Sequence, residues 1–169
     1  DFAALAAAKT SGTLDEAICA ERDRQVAVQL TPPEIAEKLD VRRIRRFAES
    51  DAFARICAAD AVLRELAFIT ALPASAVLAA QGSAAPEGEA TKASVLVQGI
   101  ADIVLVFPDH LELLDYKTDR RKTEADFLAA YRAQLNLYAL AIDKRFAPKK
   151  VTYKGIYSLE LGKLIEVKG

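Results

Sequence analysis

Two carboxylates and an ammonium stand where apolar side chains belong. In the stretch GIADIVLVFPDHLELLDYKTDR, from Gly99 to Arg120, residues Asp102, Asp115 and Lys117 interrupt two otherwise apolar runs. The runs read as strands joined by a turn at Pro108-Asp109. With two residues in the turn, Phe107 pairs with His110, and counting back along both arms sets Asp102 opposite Asp115. Side chains alternate along a strand and cross-strand partners share a face, so all three groups converge unless a bulge slips the register. Burying such charges without a partner is costly. Two close carboxylates repel, and one takes up a proton unless a cation sits between them. A hard divalent cation fits: Mg2+, with Mn2+ as substitute, is held by one or two carboxylates, with waters and a phosphate completing the shell. The lysine can then orient attacking water and neutralise charge growing on a phosphate. An ordinary ion bridge between strands is the alternative that spacing alone leaves open.

The surrounding sequence must hold this pair in place. VLRELAFITALPA (Val62 to Ala74) reads as a further strand, and SAAPEGEATKA (Ser83 to Ala93) as a surface loop. TEADFLAAYRAQLNLYALAIDKRF is the clearest helix, with Phe127, Ala130, Tyr131, Gln134, Tyr138 and Ile142 recurring at helical spacing until Pro148 ends it. VTYKGIYSL and KLIEVKG close the chain as a strand pair across Glu160-Leu161-Gly162. Upstream the chain reads as helices. Thr13 and Glu16 suggest a capping box, Thr31 suggests a cap ahead of Pro32-Pro33, and Phe53 and Ile56 face inward. Arg42, Arg43, Arg45 and Arg46 can touch nucleic acid, but charge runs on helices are usually solvated faces. The order of elements predicts an α/β fold, a mixed sheet with helices packed on it.

Composition narrows the chemistry. The chain has 169 residues and a net charge of -1, so a nucleic-acid partner must be met by a local basic patch. No apolar run is long enough to span a membrane. Two cysteines and one histidine exclude a zinc set and a four-cysteine iron–sulphur site; Cys19 and Cys57 read as small core side chains in a reducing compartment. The chain begins with Asp1 and contains no methionine, which reads as a piece of something longer.

Gly99-Ile100-Ala101-Asp102, then LLDYKTDR, then Gln134-x-x-x-Tyr138 resembles the PD-(D/E)xK nuclease superfamily. More narrowly, the chain resembles the RecB-like nuclease domain of AddA-type helicase–nuclease proteins. RELAF (Arg64 to Phe68), YRAQLNLYALAI (Tyr131 to Ile142) and YSLELGKLIEV (Tyr157 to Val167) match that pattern in order. The resemblance implies a restriction-endonuclease-like core and one nuclease domain over 1–169, with a helical part over 1–60 and the catalytic sheet over 61–169. It implies Asp102 and Asp115 as metal ligands, the main-chain carbonyl of Tyr116 as a third, and Lys117 as the catalytic lysine. Gln134 and Tyr138 would line the site and contact DNA, Thr118, Arg120 and Arg121 would meet phosphates, and Glu65 would be structural. The implied function is a Mg2+-dependent DNA exonuclease of the cytoplasm, cutting single strands unwound during double-strand-break processing beside an AddB-type partner. No G-x-x-x-x-G-K-[ST] is present, so the implied motor lies outside this chain. The family's metal-site histidine, in a G-T-x-x-H stretch ahead of the segment that begins here, is absent, and His110 sits at the wrong end of the hairpin to replace it; the resemblance therefore implies an active parent protein and a piece that by itself binds metal weakly and need not cut. A nuclease-like fold kept only for binding DNA or for docking onto a partner is the competing reading; the intact D…D-x-K set argues against it.

Overall fold

A computed structural model describes residues 1–83 and 93–168, so most of the predicted Ser83–Ala93 loop lies outside the described residues. Five strands, β1 (Ala61–Pro73), β2 (Ser94–Val106), β3 (Leu111–Lys117), β4 (Val151–Ser158) and β5 (Lys163–Glu166), form one sheet in chain order. The β3–β4 pair is parallel and the others antiparallel, which gives the expected mixed sheet. A parallel pair needs a crossover, and helix α7 (Glu124–Arg145) supplies it.

The predicted turn forms: the Phe107 N–H donates to the His110 carbonyl at 3.0 Å, and the register runs from Val106↔Leu111 to Ile103↔Leu114. Alternation then sorts the strands between two cores. Val104, Leu111, Leu113 and Ile156 pack with Phe127, Leu135, Ala141 and Ile142 of α7. Ile103, Leu105 and Leu114 meet Ile56 of α5 (Asp51–Ala58) on the opposite side. Central strand β3 is therefore buried on both faces from Leu111 to Asp115. Truncating a leucine there, such as Leu113, costs about 2–5 kcal/mol through lost transfer and cavity terms.

Helix α7 starts at a full capping box, in which the Thr123 hydroxyl accepts from the Asp126 amide and the Asp126 carboxylate accepts from the Thr123 amide. Its predicted stripe is corrected in part. Phe127 and Ile142 are buried, but Ala130 is exposed, and Leu135 and Ala141 complete the buried face. Tyr131, Gln134 and Tyr138 are half-buried along its flank. In the last turn Lys144 Nζ and Arg145 Nη1 donate to the carbonyls of Ala71 and Ala67, each at 2.7 Å, and tie the helix to β1.

Helices α1 (Phe2–Ser11), α2 (Leu14–Ala27), α3 (Pro33–Ala36) and α4 (Val41–Ala48) precede α5. Phe47 meets Phe53, Tyr116 and Tyr157 edge-on, with ring centroids 5.1 to 5.5 Å apart, and thereby docks this layer on β3 and β4. Two predicted caps do not form. The Thr13 hydroxyl pairs with Ser11 and makes no cap hydrogen bond, while the Thr31 hydroxyl turns back to Gln25 and leaves Pro32 at the start of α3. Helix α6 (Ala74–Ala80) follows directly from β1, in a stretch where the sequence pattern predicts no helix. Cys57 is exposed and Cys19 only half-buried, so neither is the core side chain expected.

Candidate active site

The site opens where β2 and β3 part. Hydrogen-bonded pairs alternate along an antiparallel ladder, so after 107:110, 105:112 and 103:114 the next is 101:116. That rung is replaced: the Tyr116 N–H donates to Asp102 Oδ2 at 2.9 Å, and the ladder stops at Ile103↔Leu114. The other side of β2 is irregular at the same level. Pairing with β1 passes from Arg64↔Ile103 to Leu66↔Ala101 and skips both Glu65 and Asp102. Glu65 takes a left-handed φ of 50°, at a cost of about 1–2 kcal/mol for a residue with a Cβ. Both neighbours of β2 thus release its regular geometry around Asp102. The exposed Glu65 is a site-adjacent residue whose strain the sequence pattern does not announce. A signal exists, since counting along the β1–β2 pair sets it opposite Asp102.

Asp115 is 4% exposed, and Lys117 Nζ stands 2.5 Å from its Oδ2. That oxygen has no hydrogen bond of regular geometry, so the contact is one of charge against charge. Burial pushes the Asp115 carboxyl above the usual range; the negative charge of Asp102 adds to this, and Lys117 opposes it. The main chain of Tyr116 runs beside both acids. Its ring turns away among Phe47 and Tyr157, where burial raises the phenol pKa and leaves the hydroxyl without a partner.

Gln134 finds the partner that its place in an apolar stripe demands: its Nε2 donates to the Tyr138 hydroxyl at 3.2 Å. Tyr138 packs edge-on to Phe68 and lies over Gly99, three residues before Asp102. A methyl group at Gly99 would stand 2.8 Å from Tyr138 Cζ and 2.9 Å from the Phe68 ring, so only glycine admits this packing. Thr118, Arg120 and Arg121 are exposed in the β3–α7 connection, Arg121 with a left-handed φ of 58°.

The arginine run of α4 is largely occupied elsewhere. Arg42 pairs with Asp40, Arg43 with Glu160, and Arg45 with Asp15 and Glu49. His110 stacks on Phe107 at the turn, far along the hairpin from the acids. Among the described residues no three His, Cys, Asp or Glu side chains gather into a metal cluster. The donor set is instead two carboxylates and the main chain between β2 and β3. A buried carboxylate oxygen met only by an ammonium suits a hard cation, so the residues present fit a divalent metal.

Among the described residues no helix is long and apolar enough to cross a membrane. Similarity to known proteins covers nearly all of this architecture. The chain is 34% identical over 158 residues to an ATP-dependent helicase/nuclease subunit of Ligilactobacillus salivarius, across 90% of this chain and 12% of that protein. It is 33% identical over 163 residues to the protein of the same name from Heliobacterium modesticaldum, and 32% over 152 residues to that from Acetivibrio thermocellus, which cover 90% and 89% of this chain. The chain thus spans about one eighth of the length of these relatives, or 11–12%. Residues 3–166 match the profile of the PD-(D/E)XK nuclease superfamily, which takes in the splayed strands, both acids, the lysine and the crossover helix. On a match of that extent, the chain belongs to the PD-(D/E)XK nuclease superfamily.

Proposed function

We propose that the cleft between β2 and β3 hydrolyses DNA phosphodiesters with a divalent metal, Mg2+ by preference. Asp102, Asp115 and the Tyr116 carbonyl would hold it. The observation that carries this reading is the buried Asp115 oxygen facing Lys117 with a second carboxylate beside it. Once bound, such a cation supplies a more acidic water and neutralises phosphate charge. Lys117 contributes a fixed positive charge where the pentavalent phosphate gains negative charge, and orients the attacking water. Gln134 and Tyr138 line the wall over Gly99, while Thr118, Arg120 and Arg121 offer donors to the incoming backbone without reading sequence.

The relatives' name, helicase/nuclease, supports a setting in which the nuclease cuts single strands made by a motor during double-strand-break processing. An AddB-type partner belongs to the same reading. So does the division of the chain into a helical part over 1–60 and a catalytic sheet over 61–169. The test is Mg2+-dependent cleavage of an end-labelled single-stranded oligonucleotide by the full-length protein, which would carry the implied upstream histidine, and by its Asp115→Asn variant. Loss of cleavage in the variant, with its fold intact, is expected. Cleavage that persists in Asp115→Asn would show that Asp115 is not a metal ligand, and DNA binding by wild type without metal-dependent cleavage would favour the binding-module reading.

A further inference from the structure

Lys117 sits on a flexible four-carbon stem at the end of a strand, and a divalent cation held by Asp115 would compete with it for that carboxylate. Something else has to keep the ammonium in the site. The face of Tyr131 is there: Lys117 Nζ lies 4.5 Å from its ring centroid. The ring is itself fixed. Its hydroxyl donates to both carboxylate oxygens of Asp119, each at 2.9 Å. Lys122 closes the arrangement, with Nζ 2.6 Å from Asp119, 3.4 Å from the Tyr131 hydroxyl and 4.8 Å above the ring. Tyr131 is half-buried on α7.

We infer that Tyr131 is a positioning residue for Lys117, a π-face that retains the ammonium beside the scissile phosphate when Asp115 is engaged with metal. The inference rests on the nuclease reading of Asp115 and Lys117. Asp119 and Lys122 act through Tyr131 by clamping its hydroxyl. They also tether the connection that carries Arg120 and Arg121 to the helix, so the loop that meets the backbone and the lysine that serves the chemistry share one anchor. A cation–π contact of this kind corresponds to about 3- to 30-fold in rate when it holds a charge in the transition state. Because the ring acts on turnover through Lys117, its loss falls on kcat and spares KM.

Two measurements test this. In proton–carbon NMR spectra of lysine-labelled protein, the ε-methylene protons of Lys117, assigned by their disappearance in Lys117→Arg, are expected upfield of other lysines because they lie over a ring. The shift should survive in Tyr131→Phe, vanish in Tyr131→Leu, and persist when Mg2+ is added. An ordinary position in wild type, or its loss on adding Mg2+, overturns the inference without reference to any activity or to the folding of a variant. In kinetics on single-stranded DNA, Tyr131→Leu should lower kcat about 3- to 30-fold at unchanged KM, and Tyr131→Phe should recover most of it. Equal losses in both variants, or a change confined to KM, overturn it. Lys117→Ala separates the two levels: full turnover in that variant defeats the nuclease reading itself, whereas an inactive Lys117→Ala beside a fully active Tyr131→Leu defeats only the role of Tyr131.

Discussion

Strand β3 carries two buried acids that look alike and do different things. Glu112, 6% exposed, meets Arg55 of α5 at 2.7 Å, and the guanidinium lies 3.6 Å over the Tyr153 ring. Asp115, three residues on, meets Lys117, whose ammonium lies over Tyr131. Each acid has one oxygen without a hydrogen bond. An orphaned oxygen is therefore not enough to mark a site. The cross-strand neighbours differ: Leu105 stands opposite Glu112, whereas Asp102 follows from the same register opposite Asp115. The cations differ too. Arg55 comes from a distant helix and pins α5 to the sheet as a permanently charged fork, while Lys117 belongs to the same strand and has a mobile stem. One pair is closed and holds two elements together. The other faces the second carboxylate, Asp102, across the parted strands.

The contrast breaks most sharply under the same operation, removal of the cation. Lys117→Ala should lower metal-dependent cleavage by about 10²–10³, equivalent to about 3–4 kcal/mol of transition-state stabilisation, with little change in melting temperature. Cleavage at the wild-type rate at saturating DNA would make the two pairs equivalent. Arg55→Ala should do the reverse. It leaves the buried Glu112 with only His110 Nε2 near it, at 3.8 Å, and because Arg55 is itself about one-third exposed, the loss should fall below the full cost of breaking a buried pair, near 2–3 kcal/mol. In a chain of this size that lowers the melting temperature by about 5–10 °C. Thermal unfolding of Arg55→Ala with no shift would show that the contact with Tyr153 and Glu112 is incidental.

A smaller effect comes from protons. The folded Asp115 carboxyl is raised, so its contribution to stability is fully present below the ordinary carboxylate pKa, about 3.9, and is lost as pH rises through the folded value. Above that value ionisation weighs against the fold, and a divalent cation bound there would relieve it. Mg2+ at ten times its dissociation constant should stabilise by about 1.4 kcal/mol at pH 7. The stabilisation should shrink as pH falls from 7 to 4, because a proton then competes with the cation for the raised Asp115 carboxyl. Equal stabilisation at both pH values, measured by calorimetry, would place the ion elsewhere.

The same two pairs show what the sequence makes legible. A two-residue turn and strict alternation are enough to oppose Asp102 and Asp115, because both rules act within one hairpin. They cannot show that Glu112 is buried. Alternation puts it on the face away from Asp115, and only α5 packing there, with Arg55 fifty-seven residues earlier, turns that face into an interior. The strain at Glu65 is hidden for a related reason: a break in pairing that skips one residue on each strand is a compromise between two neighbouring strands, and neither strand's own pattern records it. The misplaced caps at Thr13 and Thr31 are local competitions, in which a nearby Ser11 or Gln25 takes the hydroxyl that the helix start could have used. The family resemblance supplies the roles of Gln134 and Tyr138, which periodicity alone reads as stripe residues.

The two cations at the end of α7 have a consequence for how this chain behaves among copies of itself. Strand β1 is thirteen residues long and lies at the border of the sheet, with Ile69 exposed on its surface. Such a border is a template on which a stray strand can add by backbone pairing, the first step of aggregation. Lys144 and Arg145 reach over it and occupy the carbonyls of Ala71 and Ala67. An arriving strand would have to displace two charged donors and then lie against them. The helix that lines the candidate site thus also acts as the guard rail that helps keep the protein from polymerising.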